Sequence, residues 1–378
     1  MRFLQCIFLI VIVLVVGGCQ QLEQRSLDEK SVEDVSEIRK QEEKAEKVIY
    51  REATIEIGAI GDVLLHERVY EHAKVGEGKY DFLPMLEEVS DLLKAPDFLM
   101  ANMESIPGGV EIGLSTYPSF NSPQEIVTDL QSLGVDMVIG ANNHTLDRGV
   151  RAIENAINFY DEIGMPYVGK YRDTEDRKTD RIVKIGDITM GILAYTYGTN
   201  GIPIPKGHED VVALIEPERI VNDVQRLREK VDIVVVHMHW GAEYIREPNK
   251  EQRQLALTLA DAGVDIIFGH HPHVLQPIEM IEGENGKKTV VFYSLGNFYS
   301  GQNFEYTDIG GVASVKVTKI VEGDETEVTV HSPKIDPTLV VRKENGYFMK
   351  PMSEADSQSI SGTTFEEIIE HTNLYLSQ

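Results

Sequence analysis

Residues 269–274 read GHHPHV, three histidines within four positions broken by one proline. They close a longer series of chemically capable residues. Gly61-Asp62 is followed by His66, and Asn102 by Glu104. Asn142, Asn143, His144 and Asp147 form a third group, and His237, His239 and Glu243 a fourth. Carboxylate, carboxamide and imidazole together are the ligand set of a divalent transition metal such as Mn, Zn or Fe. One ion or two are expected, because a carboxylate such as Glu104 is able to bridge a pair. Each residue also has a plainer reading. Asp62 is a natural turn residue, His66 a polar position on a following helix, and Asn102 an ordinary loop amide. Five such groups in succession outweigh the plain readings taken singly. His237 and His239 share one strand, and one of them is expected at the site, His239 beside Trp240-Gly241. His72, His208, His331 and His371 have no ligand-rich neighbours and are read as surface or core residues.

Every group follows an apolar strand. ATIEIGAI (53–60), DFLMANME (97–104), VDMVIGANNH (135–144), VDIVVVHMHWG (231–241) and VDIIFGHH (264–271) all run into their polar residues at the carboxyl end. Between them lie amphipathic helices at 122–134, 149–164, 217–230 and 250–263. The first is opened by Ser122 with proline at its first position and closed by Gly134. RIVKIGDITMGILAY (181–195) reads as a hairpin turning at Gly186-Asp187. From VLQPIEMI onward the helices thin out and KKTVVFYSLGN, GGVASVKVTKI and ETEVTVHSPKI read as strands. Helices alternating with strands, then strands alone, predict an α/β layered sandwich rather than a doubly wound sheet. In such sheets ligands gather outside the carboxyl ends of the strands.

The chain has 378 residues, enough for one elaborate domain or two. A hydrophobic content of 42% excludes a mostly disordered chain, and a net charge of −26 argues against nucleic acid as a partner. Both cysteines lie in the first nineteen residues, so the body has no disulfide. MRFLQCIFLIVIVLVVGGCQQ is a short apolar segment ending in small residues, and its VGGC resembles a bacterial lipobox with Cys19 as the lipid attachment point. An uncleaved membrane anchor is the alternative. Both place the globular part outside the cytoplasm at the cell membrane. Residues 20–50 read as a charged tether, 51–350 as the globular domain, and 351–378 as a tail with a short helix.

The ordered motifs GDVLLH, ANMES, GANNHTLDRG, HWGAEY, GHHPHV and YSLGNF, spread over about residues 53–300, resemble the bacterial capsule-synthesis (CapA-like, poly-γ-glutamate biosynthesis) family. The resemblance implies a calcineurin-like metallophosphoesterase fold, a four-layer α-β-β-α sandwich. It implies Asp62, His66, Glu104, Asn143, His239, His271 and His273 as metal ligands, and His144, oriented by Asp147, as acid or transition-state stabiliser. Pro272 stiffens the last turn so that His271 and His273 point into one site, with His270 as the alternative partner of His273. Departures from the general phosphoesterase pattern are the four-residue step from Asp62 to His66, Asn102-x-Glu104 in place of an aspartate motif, and the lengthened GHHPH. Membrane-bound poly-γ-glutamate synthase or export subunits are the implied partners, and an anionic polymer or phosphoester the implied substrate. No Gly-x-x-x-x-Gly-Lys loop is present to power polymerisation, so any synthase is another polypeptide. A metal-dependent hydrolase and a non-catalytic scaffold of the synthase complex both fit these residues.

Overall fold

The first strand, Tyr50–Leu64, is exposed where it begins and buried from Ile57 onward. The computed structural model explains why: the buried half is flanked on both sides. Ile309–Glu322 pairs with the strand antiparallel, and Phe98–Asn102 pairs with it parallel. The structure describes residues 50–378 apart from 285, 357–358 and 377–378. The leader, Cys19 and residues 20–49 lie outside the described residues.

Two sheets carry the fold. The first runs, in spatial order, Gly346–Pro351, Glu325–Lys343, Ile309–Glu322, Tyr50–Leu64, Phe98–Asn102, Met137–Ile139 and Tyr167–Val168, with Asn297–Ser300 paired to the end of the first strand. The second runs Ile278–Glu282, Lys288–Phe292, Ile266–His270, Ile233–His239, Ile188–Thr196 and Ile182–Ile185. Their facing sides share one dry core, with Ile57, Ala59 and Met100 from the first sheet meeting Ile192, Val235 and Phe268 from the second. Helices Glu125–Ser132 and Gly149–Ile163 cover the outer face of the first sheet through Ile126, Leu130, Ile153 and Ile157. Pro217–Arg228 and Lys250–Ala262 cover the second through Ile220, Val224, Ala256 and Leu259. The layers are therefore α-β-β-α, as the sequence predicts.

Local signals account for most boundaries. Helix Gly149–Ile163 carries buried Ala152, Ile153, Ala156, Ile157 and Tyr160 at helical spacing and stops at Gly164, left-handed at φ +68°. Helix Lys250–Ala262 opens on a reciprocal cap between Asn249 and Gln252. One expected start moves. The helix after Ser122 begins only at Glu125, because the Ser122 hydroxyl donates to the carbonyls of Ser105 and Ile106. The C-terminal segment packs onto the body, with Ile368 of helix Phe365–Thr372 buried in the core between the sheets. Among the described residues no helix is long and apolar enough to cross a membrane.

Parallel pairing decides where the polar residues go. Asp62, Asn102 and the 142–147 turn follow three neighbouring parallel strands, and His239 and His270 end two more. All five groups emerge at carboxyl ends of parallel strands.

Candidate metal centre

Gly61 approaches the Leu295-Gly296 turn so closely that a Cβ would stand 2.0 Å from the Gly296 carbonyl oxygen. The next N–H, that of Asp62, donates to that oxygen at 2.9 Å. Only glycine permits this approach, and the strand end shifts register there. Asp62 is fully buried. Its Oδ1 accepts from Asn102 Nδ2 at 2.7 Å, and its Oδ2 lies 3.0 Å from His273 Nδ1. A third nitrogen, His270 Nδ1, stands 3.7 Å from Oδ1. Glu104 is buried beside them, Oε2 at 3.7 Å from His273 Nδ1 and Oε1 at 3.5 Å from His239 Nε2. His239 Nε2 also meets Asn143 Oδ1 at 2.9 Å. Donor atoms of Glu104, His271 and His273 all lie within 4.8 Å of one another. His271 and His273 hold left-handed backbone at φ +97° and +61°, a strain that surrounding contacts must impose.

The electrostatics of this cluster test whether it suits a cation. Burial drives the Glu104 carboxyl up to about 8, and the charge of Asp62 pushes the same way. Burial opposes ionisation of Asp62 too, yet the hydrogen bond and charge of His273 hold its carboxyl below the usual range. Burial likewise resists a charge on His273, but Glu104 and Asp62 raise it to about 9. His239 and His271 move oppositely, burial taking them down to about 3 and about 2, so both rings are neutral. Two carboxylates are thus relieved at neutral pH by two protons, one on His273 and one on Glu104. A divalent ion delivers the same positive charge from one centre. Both Glu104 oxygens, His239 Nδ1 and His271 Nδ1 are buried with no hydrogen-bond partner. Buried polar atoms are rarely left so, and neutral imidazoles with carboxylates are the donors a divalent transition metal takes. The residues fit the ion.

A second constellation stands beside the first. In the turn after Met137–Ile139, Asn142 Oδ1 accepts the His144 N–H at 3.1 Å, and Thr145 Oγ1 donates to the Gly140 carbonyl at 2.7 Å. This turn brings His144 Nδ1 to 2.7 Å from Asp147 Oδ2. The same carboxylate oxygen accepts the Phe120 N–H at 2.7 Å, and the Phe120 ring meets His144 edge-on at 4.8 Å. An ionised carboxylate only accepts, so the His144 proton sits on Nδ1 and Nε2 is free to act. His144 and Asp147 line a cleft of about 780 Å³ together with His273, Arg68, Tyr244 and Phe304.

Asp62, Glu104, Asn143, His239, His271 and His273 therefore meet in one place. His66 does not join them. It follows the end of the first strand as the residue before helix Glu67–Tyr70. Its Nδ1 is placed either to donate to the Leu64 carbonyl at 3.1 Å or, in the other tautomer, to accept the Gly301 N–H at 3.3 Å. Its ring packs on Phe120 at 5.2 Å, on the cleft wall. The expectation that only one of His237 and His239 turns toward the site gives way to strand geometry. Residues two apart share a face, and His237 also points between the sheets, its Nδ1 at 3.0 Å from His270 Nε2. His270 is thus buried at the site as well as His271. Sequence reasoning missed Tyr197, whose ring lies 4.7 Å from His271, and Asn200, whose Oδ1 accepts from Asn143 Nδ2 at 3.1 Å. Both follow strand Ile188–Thr196, which pairs parallel with Ile233–His239. YTYGTNG was a sixth polar strand end, legible by the rule that found the other five.

In sequence the chain is similar to known proteins over most of its body. Residues 56–302 match the model of a family described as bacterial capsule synthesis protein PGA_cap. The chain is 30% identical over 293 residues to the PGA biosynthesis protein CapA of Bacillus subtilis, covering 75% of this chain and 73% of that protein. It is 28% identical over 257 residues to the capsule biosynthesis protein CapA of Bacillus anthracis, covering 66% of this chain and 60% of that one. Among solved structures, a Haemophilus influenzae NAD nucleotidase superposes with a TM-score of 0.45 at 10% identity, covering 80% of this chain and 54% of that chain.

Proposed function

The chain belongs to the bacterial capsule synthesis protein family, and from that premise we propose that it is a metal-dependent hydrolase serving poly-γ-glutamate capsule production. One observation carries the reading. Glu104 is buried with neither oxygen hydrogen-bonded, near the neutral imidazoles of His239 and His271, beside an open cleft that holds a carboxylate-oriented histidine. Asp62, Glu104, Asn143, His239, His271 and His273 would hold one or two divalent ions. When bound, such an ion supplies Lewis-acid charge to an ester, amide or phosphoryl group and acidifies water. His144 gives or takes the proton at the reacting oxygen through Nε2, while Asp147 keeps the other nitrogen protonated and the ring aimed. Tyr197 covers His271, and Phe120 excludes water from the rear of His144.

The substrate class in this reading is an anionic envelope molecule, a phosphoester or a γ-glutamyl polymer. A chain of net charge −26 repels such a substrate at long range, so a local cationic device has to capture it. The metal centre and Arg68 on the cleft wall provide one. The chain is held at the outer face of the membrane through Cys19 or an uncleaved anchor, where synthase or export subunits are its partners.

The test is metal quantification on the purified full chain, joined to a phosphoester and polyglutamate cleavage screen. Wild type is expected to carry a transition metal and to cleave one substrate. His144→Ala is expected to keep the metal and lose about 10²–10⁴-fold in turnover. No bound metal, with capsule output unchanged in Glu104→Gln and His144→Ala, would leave the fold as a scaffold.

A further inference from the structure

We propose that His270 is an additional ligand of the metal centre, binding through Nδ1 beside Asp62, and that Met100 and His237 hold it in the tautomer that does so. The inference rests on the metal reading above and extends it by taking His270 in addition to His271, not in its place, and by bringing in Met100 and His237.

The argument starts at the far end of a buried chain of contacts. His237 Nε2 lies 3.2 Å from Met100 Sδ. A thioether sulfur only accepts, so the hydrogen belongs to Nε2. A neutral imidazole has one N–H, which leaves His237 Nδ1 bare. That nitrogen is 3.0 Å from His270 Nε2, with the ring planes within 7° and the centroids 5.3 Å apart. Nearly coplanar rings at that separation lie edge to edge, as a direct N–H···N bond requires. His270 Nε2 is therefore the donor, and His270 Nδ1 is bare in its turn.

This last nitrogen is buried without a hydrogen-bond partner and stands 3.7 Å from Asp62 Oδ1. A lone pair facing a carboxylate oxygen in a dry interior is repulsive unless a cation lies between them. Two metal–ligand bonds of about 2.1 Å reach across such a gap. The reverse assignment would place the proton on His270 Nδ1. It would then turn a nitrogen lone pair of His237 against the Met100 sulfur at 3.2 Å, in the core between the sheets. GHHPH thus offers three imidazoles, His270 at Asp62, His271 at Glu104 and His273 at both.

The experiment uses the full chain with ¹⁵N-labelled histidine, in metal-free and Zn²⁺-loaded forms, followed by Zn²⁺ and Co²⁺ titrations. Long-range ¹H–¹⁵N spectra are expected to show Nε2–H on both His237 and His270, with His270 Nδ1 shifting on loading. His270→Leu is expected to weaken binding of one ion more than about 100-fold, beyond the range that outer partners command. His237→Phe removes no ligand and is expected to cost about 10–100-fold. If wild type takes up no divalent ion, both the metal reading and this inference fall. If wild type loads but folded His270→Leu loads equally well, or loaded His270 carries its proton on Nδ1, the inference alone falls.

Discussion

Glu104 shows how a residue made for a ligand weighs on the fold that holds it. Its two buried oxygens accept no hydrogen bond, which is a destabilising arrangement in the metal-free chain. Burial raises this carboxyl to about 8, so folding at neutral pH has to protonate it. Glu104→Gln, neutral in both states and of nearly equal volume, escapes that cost, and the metal-free variant is expected to gain about 1–3 kcal/mol. It is also expected to lose the rise in melting temperature that Mn²⁺ or Zn²⁺ gives wild type. Paired thermal melts with and without ion check both signs, and a wild type indifferent to the ions would refute the account. Lys170 presents a burial cost of another kind. Its stem fills the space beside Gly140, its ammonium lies 5.1 Å from the centre of the Tyr160 ring, and burial lowers it to about 7. Between that value and the ordinary lysine value of 10.5, the unfolded chain holds a proton that the folded chain lacks. Stability from this group therefore rises with pH across that window, by about 1.4 kcal/mol per unit. Lys170→Met is expected to abolish that increment, read as the difference between wild-type and variant denaturation curves at pH 7, 8 and 9. Glu104, His239 and His271 were findable because acid and imidazole are uncommon at buried strand ends. Asn102 and Asn200 were harder, because an amide near a turn is ordinary and only its partner makes it functional.

At the scale of elements, strands were the most legible part of the chain. Runs such as VDIVVV and VDIIF have no reading other than a buried strand, and both sit where expected, Ile233–His239 and Ile266–His270. The helix start at Ser122 misled because a hydroxyl able to cap a helix instead ties two loop carbonyls, a choice made by tertiary contacts. The short strand Gly346–Pro351 was not foreseen. It pairs with Thr338–Lys343, the end of the strand just before it, across a two-residue turn at Glu344-Asn345, a hairpin that the Asn345-Gly346 dipeptide could have signalled. Gly269 shows how an element fixes the site. A Cβ there would stand 2.0 Å from the Tyr293 carbonyl oxygen, which already accepts from Trp240 Nε1 at 3.0 Å. Gly269→Ala has to push the two segments apart and is expected to cost about 1–3 kcal/mol as an overpacked site. The displacement carries His270 and His271 with it, so metal affinity should fall as well. Urea denaturation and ion titration on one sample measure both, and a destabilised variant with unchanged affinity would show the strand end to be decoupled from the centre.

At the scale of the whole molecule, the first strand sets the distance between the chain's entry and its chemistry. Tyr50 and Asp62 lie twelve residues apart on one strand, a span of roughly 40 Å at about 3.3 Å per residue. The cleft therefore opens far from the point where residues 20–49 join the body. This separates attachment from catalysis and yields an outcome for each. Cys19→Ala is expected to move the chain from the detergent-extracted membrane fraction to the soluble fraction. Its bound metal and its turnover on a soluble substrate should stay at wild-type values, because the described residues that line the cleft run from Leu64 to Phe304. Under the proposed function capsule output should fall nonetheless, since the chain would no longer be concentrated beside its proposed synthase and export partners, an effective-concentration loss that needs no broken contact. A Cys19→Ala chain that remains in the membrane fraction would point to the apolar leader as an uncleaved anchor. One that is released with capsule output unchanged would show that the chain serves capsule production without being held at the membrane.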